Sequence, residues 1–220
     1  MARIIILGSA AAVADAEHDN THFILEGDTH SILVDCGSNP LGKIHKLGIN
    51  DNQMQHMILT HFHPDHVSGV PNMLMHMWLL GRTAPLCIYG LDHCIDRVEI
   101  MLDSFSWHDW PNFFPVTFQR IAEANDTPVM DNDDFVITST PTRHFIPTMG
   151  LRVFNKRTGK LLSYTCDSEP IPELVDIGRG ADIFIHEASG RGPGHCSARD
   201  AGETATAAGA SASAGRLEVL

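Results

Sequence analysis

Residues 60–66 read THFHPDH, three histidines and an aspartate in seven positions, directly after the apolar run MIL at 57–59. HMILT at 56–60 has the β-rich composition of a strand, so the histidines and aspartate stand where that strand leaves the sheet. Open α/β sheets place ligands there, because the loops leaving the strand ends converge on a crevice. His61 and His63 alternate by two, Pro64 stiffens the turn, and Asp65 and His66 follow, so four ligand-type side chains splay into two neighbouring groups. Imidazole and carboxylate donors without cysteine suit a catalytic site for zinc, manganese or iron more than a structural zinc site.

Working outward, RIIIL at 3–7, HFILE at 22–26 and SILVD at 31–35 are short strands, with a turn in EGDTH at 26–30. The opening MARIIILGSAAAVADA reads as a buried strand ending in a Gly-Ser turn, not as a cleaved leader. PLGKIHKLGI at 40–49 is a predicted helix, and VSGVPNMLMHMWLLG opens another, with Met73, Leu74, Met77 and Leu80 as its core stripe. PLCIYG at 85–90 is a strand, and the aromatic stretch DSFSWHDWPNFFP at 103–115 reads as core packing. FVITSTPTRH at 135–144, LRVFN at 151–155, LLSYTCD at 161–167 and ADIFIHE at 181–187 are four more strands, three of them ending in a ligand-type residue. The tail 198–215 suits a helix capped by Ser197 and stopped at Gly215, and RLEVL at 216–220 begins a strand.

Composition sets the class. At 220 residues, with 43% hydrophobic and 19% charged residues, the chain fits one globular domain spanning 1–220. Fourteen histidines are an excess, and histidine is the commonest metal ligand. The net charge of −12 disfavours non-specific binding to nucleic acid or anionic membrane. Five cysteines without a CxxC pair indicate neither a disulfide framework nor a thiolate site and point to a reducing, cytoplasmic setting. No stretch reaches the roughly 18 apolar residues of a membrane span.

THFHPDH resembles the HxHxDH signature of the metallo-β-lactamase fold. ILGSAAAV at 6–13, ILVDCG at 32–37, TRHF at 142–145, YTCDS at 164–168 and FIHEAS at 184–189 follow in that family's order. The resemblance implies an α/β chain folded as an αββα sandwich. It implies two divalent metal ions, zinc first, with His61, His63 and His144 on one, Asp65 and His66 on the other, and Asp167 bridging. It further implies a metal-bound hydroxide as nucleophile, which Asp65 would orient as a base.

Within the family, His186-Glu187-Ala188-Ser189 and Gly194-His195-Cys196-Ser197 resemble the HEAT and HST motifs of ribonuclease Z and its phosphodiesterase relatives. The resemblance then implies Glu187 as orienter and His195 as general acid toward the leaving oxygen. The expected substrate is a small or nucleotide-like phosphodiester; another ester class, or an inactive metal-binding relic, is the alternative. Between His144 and Asp167 only the short turn NKRTGK at 155–160 is found, so stable tRNA binding is not expected. The family's final histidine ligand has no counterpart after His195. The sequence thus reads as lacking the last strand and helix of the fold, and three explanations stay open: a shortened gene, a substitute ligand such as His186 or His195, or a second metal that is weak or absent; a homodimer covering the exposed surface is expected.

Overall fold

The computed structural model describes residues 3–190, 192–210 and 218–219, and the chain divides into two compact units. The first runs to Arg120. In chain order it contains β1 (Arg3–Gly8), β2 (His22–Glu26), β3 (Ser31–Val34), α1 (Leu41–Lys46), β4 (Met54–Ile58), α2 (Pro64–Val67), α3 (Val70–Leu79), β5 (Leu86–Leu91), α4 (Asp92–Asp103) and β6 (Val116–Ile121). The second, from Ile121 to Arg216, contains β7 (Thr127–Asp131), β8 (Phe135–Thr142), β9 (Thr148–Asn155), β10 (Leu161–Tyr164), α5 (Pro172–Gly178), β11 (Ile183–Ile185) and α6 (Ala198–Ala208). The chain then returns to the first unit as β12 (Glu218–Val219).

The first unit is built on a seven-stranded mixed sheet in the order β12-β1-β2-β3-β4-β5-β6. β1, β2 and β3 form an antiparallel meander, and β3, β4 and β5 run parallel, in register Leu33↔Met57↔Ile88. Strands of that parallel centre are β-branched and apolar because both their faces are covered. Ile32, Leu33, Val34, Met57, Ile58 and Ile88 are all fully buried. Each such side chain contributes roughly 1.5–3 kcal/mol by leaving water. β12 pairs parallel to β1 through Ile5↔Glu218 and Ile6↔Val219, the strand expected from RLEVL.

Several elements differ from the sequence reading. The helix expected over 40–49 is only α1, which ends at Leu47 because Gly48 takes φ +74°. Met73, Leu74 and Met77 are core residues of α3, but Leu80 caps the helix and is 62% exposed, so the stripe ends one turn early. In the aromatic stretch, Trp107 and Phe114 are buried as expected, whereas Phe105 is exposed and Trp110 stacks on Trp78 at 5.1 Å. Residues 92–103, given no element from sequence, form α4 on a buried stripe of Cys94, Ile95, Val98 and Leu102.

The second unit carries a five-stranded sheet in the order β11-β10-β9-β8-β7. β8 and β9 form a long hairpin paired from Phe135↔Asn155 to Thr142↔Thr148. β9 and β10 are joined by the 156–160 turn, in which the Asn155 side chain accepts from the backbone N–H groups of Arg157 and Thr158. α5 and α6 belong to this unit, with Leu174, Ile177 and Cys196 in a small core. α6 stops at Gly209, which takes φ +62° as its left-handed cap, six residues before the expected Gly215 stop; Gly215 lies outside the described residues.

Candidate metal and catalytic site

The first unit carries its candidate ligands on the THFHPDH turn. β4 ends at Ile58, and the backbone N–H of Leu59 still donates to Tyr89, so the chain stays aligned with β5 as it enters the turn. His63 then caps α2 with an extended backbone, Pro64 takes the first helical position and the N–H groups of His66 and Val67 donate back to the His63 carbonyl. This short turn brings four side chains together. His61 Nε2 lies 3.0 Å from His63 Nδ1, His66 Nε2 lies 3.6 Å from Asp65 Oδ2, and the His61 and His66 rings are 4.1 Å apart.

Beneath the turn lies a residue for which the sequence suggested only a strand-ending turn. Asp35 is fully buried at the end of β3. Its Oδ1 accepts from the Thr60 N–H at 2.9 Å, and its Oδ2 lies 2.8 Å from His66 Nδ1. Asp35 therefore fixes the ring of His66 with Nε2 presented outward. The Thr60 hydroxyl lies 3.1 Å from His61 Nδ1 and does the same for that ring. Gly37, two residues on, admits the turn: a Cβ there would sit 1.7 Å from the Asp65 carbonyl oxygen.

The second unit carries its own candidate residues at the exits of β8, β10 and β11. The Thr142 hydroxyl donates to the Asp167 carbonyl at 2.9 Å, the Arg143 N–H to Ser168 Oγ and the Glu169 N–H to the Arg143 carbonyl. These bonds lay the two strand exits side by side. His144 Nε2 consequently lies 3.7 Å from Asp167 Oδ2, while His144 Nδ1 donates to the Gly194 carbonyl at 2.8 Å. Cys166, just before Asp167, takes φ +53°, a left-handed conformation that a β-carbon disfavours and that turns the chain sharply.

His144, Asp167 and His195 each offer a ligand atom within 4.8 Å of the others'. His195 Nδ1 lies 3.2 Å from Glu187 Oε1. That buried carboxylate also accepts backbone N–H groups from Ser168, Ser189 and Cys196, each at 3.0 Å, so its position is set by three separate chain segments. His186, the other candidate substitute ligand, points elsewhere: its Nδ1 meets the Glu187 carbonyl at 2.6 Å and its ring packs against Phe184. Its Nε2 is buried without a hydrogen-bond partner, and burial lowers its pKa.

The donors of each unit, taken by themselves, are of the types that hold divalent metal. Histidines that bind metal generally have their second ring nitrogen tied to an oxygen acceptor, which fixes tautomer and orientation. His61, His66 and His144 show that pattern through Thr60, Asp35 and Gly194. The signal in the sequence for Asp35 was the VDCG strand end, but nothing local tied it to a histidine 31 residues away.

Comparison with known proteins agrees with this architecture. The chain is similar to the short form of human tRNase Z, with a TM-score of 0.79 and 22% identity over 94% of this chain and 89% of that one. It is similar to the metallo-β-lactamase fold protein YhfI from Bacillus subtilis, with a TM-score of 0.77 and 23% identity over 94% and 81%. By sequence it is 24% identical to the ribonuclease Z of Methanothermobacter thermautotrophicus over 95% of this chain and 84% of that protein. The chain is thus a metallo-β-lactamase-fold protein of the ribonuclease Z-like kind. More narrowly, residues 2–200 match the family described as Anti-Pycsar protein Apyc1, and the chain belongs to that family.

Proposed function

We propose that the chain is a metal-dependent phosphodiesterase whose two units act as one domain over 1–220, with their ligand sets combined around two divalent ions, zinc first. In this reading His61, His63 and His144 hold one ion, Asp65 and His66 the other, and Asp167 bridges. When bound, such ions supply a hydrolytic nucleophile near neutral pH and stabilise the oxygens of an in-line displacement. The protein's own part is to orient and to move protons: Asp35 and Thr60 hold the imidazoles, Asp65 orients the attacking water as base, and Glu187 positions His195.

The observation that carries the reading is the Glu187–His195 pair beside His144 and Asp167. A phosphodiester leaves as a poor alkoxide and needs an acid, and an imidazole tied at Nδ1 to a buried carboxylate presents Nε2 for that role. The ribonuclease Z names among the relatives support phosphoester chemistry. A small or nucleotide-like diester suits this chain better than tRNA. The two lysines of the 156–160 turn are already engaged, Lys156 with Asp131 and Lys160 with Asp182. Leu79, Leu80, Ile100 and Phe105 are exposed on or beside α3 and α4 and support a homodimer. All five cysteines are free thiols, which supports a cytoplasmic setting.

The test is hydrolysis of bis-p-nitrophenyl phosphate with metal content measured on the same preparation. Two ions per chain with turnover are expected, and His195→Ala and Glu187→Gln should each lower kcat by roughly 10²–10⁴-fold while metal content is retained. A folded Asp65→Ala protein as active as the parent would sink the reading.

A further inference from the structure

The loop between β11 and α6 carries His195 on a stretch with little stiffness of its own: Gly190, Gly192 and Gly194 are three of the five residues before it. A glycine gives up more conformational freedom on ordering than any other residue, so a fixed loop here needs anchors outside itself. Its ends have them in Glu187, which accepts the Ser189 and Cys196 N–H groups at 3.0 Å. Its tip is anchored separately. The Gly194 N–H donates to Glu169 Oε1 at 3.0 Å, and the Gly194 carbonyl accepts from His144 Nδ1 at 2.8 Å. Gly194 makes both bonds at φ +81°, and a Cβ there would lie 2.9 Å from His144 Nδ1. Glu169 is itself locked in place: its N–H donates to the Arg143 carbonyl at 2.7 Å, and its carbonyl accepts from Ser168 Oγ at 2.7 Å. One residue thereby ties together the segments that carry His144, Asp167 and His195, and the His144 and His195 rings stand 5.0 Å apart.

We propose that Glu169 is a positioning residue for His195: by taking the Gly194 N–H, its carboxylate fixes the loop tip so that the neighbouring imidazole stands beside His144 and Asp167. The role of His195 as acid rests on the phosphodiesterase reading, to which this latch is an addition. A carboxylate suits the task, because a backbone N–H makes a roughly twofold stronger bond to a charged acceptor than to a neutral one. The two glutamates divide the work. Glu187 meets the imidazole itself, 3.2 Å from Nδ1, and sets which nitrogen faces outward. Glu169 acts through the backbone of Gly194 and sets where the ring stands. Displacing a catalytic group by about 1 Å costs on the order of 10²-fold in rate, so a single backbone bond at this point has a large effect.

Amide hydrogen exchange followed by nuclear magnetic resonance tests the latch without any turnover. In Glu169→Ala the Gly194 and His195 N–H groups should exchange at least about tenfold faster than in the parent. The His195 N–H is the decisive one, since its own acceptor, the Gly192 carbonyl at 3.3 Å, is untouched by the substitution. Glu169→Gln keeps an acceptor oxygen and should restore slow exchange. Kinetics then read the consequence for His195. On diphenyl phosphate, whose leaving phenoxide needs a proton more than p-nitrophenoxide does, Glu169→Ala should lower kcat by roughly 10- to 100-fold with KM nearly unchanged. On bis-p-nitrophenyl phosphate the loss should be smaller. Because Glu169 acts through His195, adding Glu169→Ala to His195→Ala should slow hydrolysis no further. Unchanged exchange at His195, no rescue by Glu169→Gln, or a full additional loss in the double variant overturns the proposal. Where Glu169→Ala does not fold, Glu169→Met, of similar length and without a strong acceptor, replaces it throughout. A parent without diesterase activity sinks the phosphodiesterase reading, and hydrogen exchange alone then decides the latch, so the two fail separately.

Discussion

Asp35 shows how one residue governs the site without being a ligand in it. Its carboxylate lies between the Thr60 N–H and His66 Nδ1, so it sets both the start of the histidine turn and the tautomer of His66. Asp35→Asn keeps the shape and loses the charge. It should weaken retention of metal by roughly 10- to 100-fold, measured by chelator competition, with the far-ultraviolet spectrum unchanged. Gly37 makes a different demand, since any side chain meets the Asp65 carbonyl. Gly37→Ala should therefore cost about 2–4 kcal/mol of stability in urea unfolding, together with displacement of Asp65. His61, His63, Asp65 and His66 were legible because they share seven consecutive positions; Asp35 was not, because its hydrogen bonds reach from β3 to residues beyond the end of β4.

At the scale of elements, the loop carrying His195 is held at both ends. Glu187 accepts the Cys196 N–H, and one residue later Ser197 and Asp200 form a reciprocal cap on α6. Ser197→Ala should destabilise the chain by about 1 kcal/mol and lower kcat on bis-p-nitrophenyl phosphate, whereas Ser197→Asp should restore both, read from thermal unfolding and initial rates. Both the cap and the strand exits were visible in the local sequence. The helix ends were less so: Gly209 and Gly215 offer the same stop signal, and the chain uses the first. The exposed end of α3 at Leu80 was hidden for a related reason, because an apolar side chain at helical spacing does not reveal where its helix leaves the core.

For the whole molecule, burial of histidine makes stability depend on pH. His56, on β4, lies 5.5 Å from the His30 ring, and its Nδ1 lies 3.2 Å from the Tyr89 hydroxyl. Burial first, and His30 second, lowers its pKa from 6.5 to about 4. The unfolded chain therefore takes up a proton at His56 before the folded chain does. The stability that the neutral ring contributes is complete above pH 6.5 and is lost as the pH falls from there toward 4. His22, buried with no hydrogen-bond partner on its ring, is shifted down by burial and acts with the same sign. The melting temperature should fall between pH 7 and 5, and His56→Asn should make that fall shallower; an unchanged slope in the variant would assign the acid sensitivity to other groups.

Local signals, read in order along the chain, determined the class of fold, the candidate metal-binding turn and the strand exits that carry His144, Asp167 and Glu187. Turn chemistry, β-branched runs and ligand spacing act over a few residues and can be read without coordinates. Tertiary structure alone decided which oxygen fixes each imidazole and that His195, not His186, joins His144 and Asp167. Those outcomes depend on approach between segments tens of residues apart. Close packing settles them, and it has no period in the sequence.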